Sequence, residues 1–157
     1  MAQARAGYQE ALRLAQELGD KAAIQQETHE LAVLDARAGE VTRARAGYLE
    51  ALRLAQELGD PAAQAIELMN LGINDRKAGG LTQAGSELRG ALVLARQVGQ
   101  PLLIARTLNS LGFLARDEGD REAACAHFGE ALALFDQIGS PEAEEPRGML
   151  RELGCEP

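Results

Sequence analysis

Apolar side chains in the first twenty residues fall at Tyr8, Ala11, Leu12, Ala15 and Leu18, three or four apart, with Gln, Glu and Arg between them. That period puts them on one face of a helix over Ala2 to Leu18, and Gly19 supplies the left-handed residue that ends it. The rhythm then recurs. Ala23, Ile24, Leu31, Val33 and Leu34 predict a second helix from Lys21 to Ala38, stopped by Gly39. A third over Thr42 to Leu58 stops at Gly59, and a fourth over Pro61 to Ala78 opens on a proline whose missing N–H suits a first turn. Further helices are predicted over Thr82 to Val98, Pro101 to Glu118 and Arg121 to Ile138, with Asp120 placed to cap the last of these. Ser140-Pro141 announces an eighth. Pro146 is barred from an undisturbed helix interior, so the ordered part is predicted from Pro146 to Leu153, with Glu142, Glu144 and Glu145 near its positive end. Loops of two to four residues force consecutive helices to be antiparallel neighbours.

The helices repeat in sequence as well as in pattern. Ala4 to Asp20 and Ala44 to Asp60 differ only at Gln9 against Leu49. In the same register Tyr8, Tyr48, Leu88 and Phe128 share one position, as do Ala11, Ala51, Ala91 and Ala131, and Gly19, Gly59, Gly99 and Gly139. A uniform forty-residue spacing marks a stacked array in which each unit is structured by its neighbours. Full units are predicted at 21–60, 61–100 and 101–140. A half unit at 1–20 precedes them and a capping segment at 141–157 follows, all in one domain.

Composition agrees with an all-helical chain: good helix formers abound, and only 3% of residues are aromatic. The net charge of −8 argues against general nucleic-acid binding, which needs a basic footprint. No apolar run approaches a membrane span. Cys125 and Cys155 are the only cysteines, and without a secretory leader they suggest reduced thiols in the cytoplasm, an extracellular pair being the alternative. Cys125 falls on the apolar side of its helix, where it reads as a small core residue.

Read from Pro61, one unit is helix, tight turn, helix, tight turn, with Leu71-Gly72, Ala84, Leu88 and Ala91 at its small and large packing positions. The next unit has Leu111-Gly112, Ala124, Phe128 and Ala131; the earlier one has Leu31-Ala32, Ala44, Tyr48 and Ala51, with alanine for the glycine. On these residues nearly the whole chain resembles tetratricopeptide repeats. It is similar to the forty-residue type of kinesin light chains, Leu-Gly-Asn-type polarity adaptors, and many bacterial regulators and signalling ATPases. The aromatics usual on the first helix of each pair are absent, their places taken by Thr28, Leu68 and Leu108 and by Asp35, Asp75 and Ala115. The resemblance implies an all-α, right-handed superhelical array of antiparallel helix pairs, with about seven long helices and a short C-terminal cap. It also makes Ala2 to Leu18 the second half of a pair whose first half is missing. The face bearing Tyr8 and Leu12 is then partly uncovered, as in the C-terminal piece of a longer protein or a chain that self-associates there, two copies stacking N-terminus to N-terminus.

In similar arrays a partner lies along the concave surface, lined by the first helix of each pair. Carried over by residue, this gives Gln26, His29, Glu30, Val33 and Arg37; Ile66, Met69, Asn70, Ile73, Arg76 and Lys77; and Arg106, Asn109, Ser110, Phe113, Arg116 and Asp117. Asn70 and Asn109, with Asn74 nearby, can donate and accept together, as holding an extended backbone requires. Met69, Ile73 and Phe113 supply apolar contacts, and Arg37, Arg76, Lys77, Arg106 and Arg116 suit carboxylates. Only Asn70 and Arg106 match the arrangement of the chaperone-tail clamps, so that specificity is not expected.

No catalytic motif emerges. His29-Glu30 begins like a zinc-protease helix, but Val33 stands where the second histidine is needed, and His127 two residues from Cys125 points to another side of its helix. No metal or cofactor site is expected. The chain is therefore expected to be a non-enzymatic protein-interaction module that takes a peptide or helical segment of acidic character in its groove. A structural or self-associating segment, or the effector-sensing part of a larger bacterial regulator or signalling ATPase, is the alternative.

Overall fold

The computed structural model describes residues 2–155. The predicted helices form as α1 (Ala2–Leu18), α2 (Lys21–Arg37), α3 (Val41–Leu58), α4 (Pro61–Lys77), α5 (Leu81–Val98), α6 (Pro101–Glu118) and α7 (Arg121–Gln137). A 3-10 turn over Pro141–Ala143 runs directly into α8 (Glu144–Glu152). Each helix packs on the next, and no strand occurs among the described residues. Short polar junctions set this path. Gly59, at φ 65°, ends α3 by donating to Ala55 and Gln56 carbonyls, and the Asp60 carboxylate accepts the Ala63 N–H at 3.0 Å to start α4.

The eighth helix starts earlier than the proline implied. Pro146 is the third residue of α8, within the first turn, where an absent N–H breaks no helical bond, and its ring is buried.

Small-against-large pairs hold the layers together. Ala44, Ala84 and Ala124 are fully buried, and so are Leu88 and Phe128. A Cβ on Gly72 would sit 2.6 Å from Leu88, and one on Gly112 2.6 Å from the Phe128 ring, so these glycines are what let α4 approach α5 and α6 approach α7. In the earlier unit Ala32 replaces the glycine and the missing space moves to the facing helix: a Cβ on Gly47 would lie 2.7 Å from that of Ala32. In α1 the equivalents stand open. Ala4 is exposed, nothing lies within 4 Å of a Cβ on Gly7, Tyr8 and Leu12 are half-buried, and Leu18 is 83% exposed.

A second repeated contact ties the start of each odd-numbered helix to the end of the next. Arg5 pairs with Asp35, and forty residues later Arg45 Nε donates to Asp75 Oδ2 at 3.1 Å, with Glu87 as a further partner at 3.3 Å. The third copy replaces the pair by Gly85 and Ala115. The fourth is a disulfide between Cys125 and Cys155, Cα atoms 5.7 Å apart. The expectation of two reduced thiols is thereby corrected. Gly154, at φ 61°, turns the chain so that the Cys155 N–H donates to Leu150 O at 2.9 Å, which lays the tail along α7. Arg121 adds hydrogen bonds to the carbonyls of Leu153 and Gly154.

Candidate binding groove

The even-numbered helices α2, α4 and α6 lie side by side and carry all the groove candidates of the sequence. Lateral polar contacts join them. Gln25 Nε2 and His29 Nδ1 each reach Glu67 Oε1 at 2.9 Å, the Thr107 hydroxyl lies 3.6 Å from Met69 Sδ, and Arg76 pairs with Asp117. Three adjoining hollows result.

The first, about 160 Å³, holds His29 with Gln25, Gln26, Ile66 and Glu67. Glu67 is almost wholly buried, so its partners matter. Burial works against a charged His29 ring, but the hydrogen bond and charge of Glu67, with Glu30 adding, outweigh it and hold the pKa above the ordinary value. Tyr48, whose ring centroid is 6.1 Å from that of His29, is pushed up to about 12, by burial first and then by the Glu67 charge. A raised histidine pKa contributes stability that is full below its unfolded value and is lost as pH rises through the folded one. Replacing His29 by Ala also leaves Glu67 to Gln25 alone, a loss of roughly 1–3 kcal/mol. The penalty of His29→Ala is therefore expected to be larger at pH 5.5 than at pH 8.5 in paired urea melts; a penalty that grows with pH would contradict the assignment.

The second hollow, about 280 Å³, brings together Val33, Arg37, Asn70, Ile73, Asn74 and Lys77 between α2 and α4. Asn74 is tied inward, its amide donating to Val41 O at 3.3 Å, and is only 4% exposed. Asn70 has no hydrogen-bond partner among the described residues and stands half-buried, with the exposed Arg37 and Lys77 in the same lining. Neither cation forms an ion pair among the described residues.

The third, about 430 Å³, gathers Met69, Ile73, Arg76, Lys77, Arg106, Asn109, Phe113 and Arg116 between α4 and α6. Ile73 and Lys77 border both large hollows, so the two are continuous. The Arg76 and Arg116 guanidiniums lie 5.4 and 5.0 Å from the Phe113 ring centroid, and Phe113 meets Phe128 edge-on at 5.1 Å. Asp117 accepts from both of these arginines, which outweighs its burial and lowers its pKa.

Two residues here were not among the sequence candidates. Glu142 accepts from Arg106 through two oxygens, at 2.8 and 2.6 Å, and Glu145 Oε2 accepts from Asn109 Nδ2 at 2.6 Å. Both acids line the hollow, and the Arg106 hydrogen bonds and charge lower the Glu142 pKa. Their signal in the sequence is the separation of 36 residues, one unit less one helical turn. Tyr8 and Leu12 lie apart from all three hollows, on α1.

No protein-family model and no curated protein matches the sequence. Solved structures do. BtubC (BKLC) from P. vanneervenii superposes with a TM-score of 0.78 at 22% identity, over 98% of this chain and 64% of its own. A Rap protein complexed with Competence and Sporulation Factor superposes with a TM-score of 0.88 at 18% identity, over 96% of this chain and 43% of its own. The chain thus spans less than two-thirds of either protein. At these identities the likeness is one of fold, and it makes the chain a helical-repeat array of antiparallel helix pairs.

Proposed function

We propose that the chain is a protein-interaction module of tetratricopeptide type whose α2–α4–α6 face takes a peptide or helical segment of another protein, with acidic character. The observation that carries this is the second hollow. Arg37 and Lys77 are cations without an ion pair among the described residues, Asn70 is an unengaged amide, and Val33 and Ile73 supply an apolar floor. Guanidinium and ammonium groups suit carboxylates, and a free amide suits a peptide backbone. The likeness to a Rap protein solved with Competence and Sporulation Factor supports a ligand-taking role for such an array.

A fluorescein-labelled peptide with Glu at every third position between Gly and Ser provides the probe, read by anisotropy. The double variant Arg37→Ala/Lys77→Ala is expected to bind it about tenfold more weakly, a loss near 1.4 kcal/mol, and Asn70→Ala to weaken it as well. Wild-type affinity in both variants would sink the assignment.

Self-association through α1 is a second reading, favoured by the uncovered Ala4 and Gly7 and the half-buried Tyr8 and Leu12. A third makes the chain the effector-sensing part of a larger regulator. We propose no catalytic step, metal or cofactor in any of them. A cytoplasmic setting is part of the same proposal, and there the Cys125–Cys155 bond would respond to redox conditions rather than serve as a permanent brace. No helix among the described residues is long and apolar enough to cross a membrane.

A further inference from the structure

The two large hollows differ in what already fills them. In the second, the cations have no ion pair among the described residues; in the third, the acids that line it, Glu142 and Glu145, both come from the chain's own C-terminal segment. We infer that Pro141–Glu152 is an internal acidic occupant of this end of the groove, its Glu142 and Glu145 carboxylates holding on Arg106 and Asn109 the places that carboxylates of an acidic partner take when they displace them. The inference rests on the acidic-partner reading above and adds where such a partner meets competition and from what.

Three features favour a displaceable contact over a fixed one. The Arg106–Glu142 pair is bidentate, yet its side chains are 48% and 40% exposed, so water and other carboxylates compete for it. The contact also leaves polar groups unsatisfied. Asn109 is 8% exposed and gives an amide hydrogen to Glu145, while its Oδ1, like Arg76 Nε in the same lining, is buried without a partner among the described residues. Buried polar atoms in a settled interface are paired, so this end is incompletely served by its own acids. Finally, α8 has nine residues and no helix behind it among the described residues. The buried Ala143 and Pro146 and, when it is formed, the Cys125–Cys155 bond keep the segment beside α7 even when its carboxylates have left their sites, which makes it a competitor of high effective concentration.

Glu142→Gln/Glu145→Gln keeps side-chain volume and removes the competing charge. It is expected to bind the labelled acidic peptide about tenfold more tightly than wild type, and adding Arg106→Gln should abolish the gain. Glu10→Gln/Glu17→Gln, on the distant α1, changes net charge equally and should bind as wild type does. Unchanged melting by circular dichroism shows that the variants fold, and Glu142→Gln alone serves if the double variant does not. If Arg37→Ala/Lys77→Ala weakens the probe but Glu142→Gln/Glu145→Gln does not tighten it, the internal occupant is overturned and the acidic-partner reading stands. An equal gain in the α1 variant also overturns it, by assigning the effect to net charge. If no form of the protein binds the probe, both readings fall together.

Discussion

Phe128→Ala is expected to lower stability by about 3–5 kcal/mol, which for a chain of this length is a fall in Tm of roughly 6–20 °C. The ring is wholly buried, lies over Gly112 and meets the edge of Phe113 at 5.1 Å, so truncation empties the junction of α6 and α7 at its narrowest point. Glycine at 112 offers no side chain to fill the space. Phe128→Leu should cost less, under about 2 kcal/mol, because Leu88 already fills the same position over Gly72. Calorimetry of the two variants separates the cases. A Phe128→Ala chain melting within a degree or two of wild type would show that the layers are not held by this pair.

Removing the disulfide is the other large effect. Closing a loop with its ends 30 residues apart restricts the unfolded chain, and losing that restriction lowers stability by about 2–4 kcal/mol. Cys125→Ser/Cys155→Ser, or wild type in dithiothreitol, is therefore expected to melt lower. The loss should also be local: without the bond, α8 keeps the Asn109–Glu145 and Arg121 hydrogen bonds, the buried Pro146 and the packing of Met149, Leu150 and Leu153, and no cross-link to α7. Amide hydrogens of α8 should exchange faster while those of α4 and α5 keep their protection. Uniform acceleration along the chain would mean that the array melts as one unit and that the bond braces the whole of it.

Much of this architecture was legible because its punctuation is chemical. Gly19, Gly59 and Gly119 end helices, Asp20, Asp60 and Asp120 begin them, and a forty-residue echo says which helices are equivalent. The end of the chain was harder. Pro146 suggested a late start for α8, which hid the fact that Cys155 shares a register with Asp35 and Asp75, and Cys125 with Arg5 and Arg45. That register contains the cross-link, since the first two copies of the contact are ion pairs at the same separation.

The groove was legible in its residues but not in their engagements. Arg76, Arg106 and Arg116 were chosen for their charge, yet Arg76 is met by Asp117 of α6, Arg106 by Glu142 of the 3-10 turn and Arg116 by its own neighbour Asp117, and Asn74, on the border of the second hollow, gives an amide hydrogen to Val41 O of α3. Periodicity assigns a residue to a face; it does not say which neighbour's carboxylate lies one turn away across a helix boundary. Glu67 shows the same limit from the other side. It is a charged residue in a helix interior whose burial becomes intelligible only when Gln25 and His29 of α2 are placed against it.

The graded series of ties between successive helices has a mechanical consequence. A pull applied at the two ends of the chain meets an ion pair at Arg5–Asp35, a second at Arg45–Asp75, no polar tie at Gly85 and Ala115, and a covalent bond at Cys125–Cys155. Because each layer is supported by its neighbours alone, the array as described would peel from α1, whose Ala4 and Gly7 meet no other helix among the described residues, and the peeling would arrest at α7. The molecule is a zipper with its stop sewn at one end.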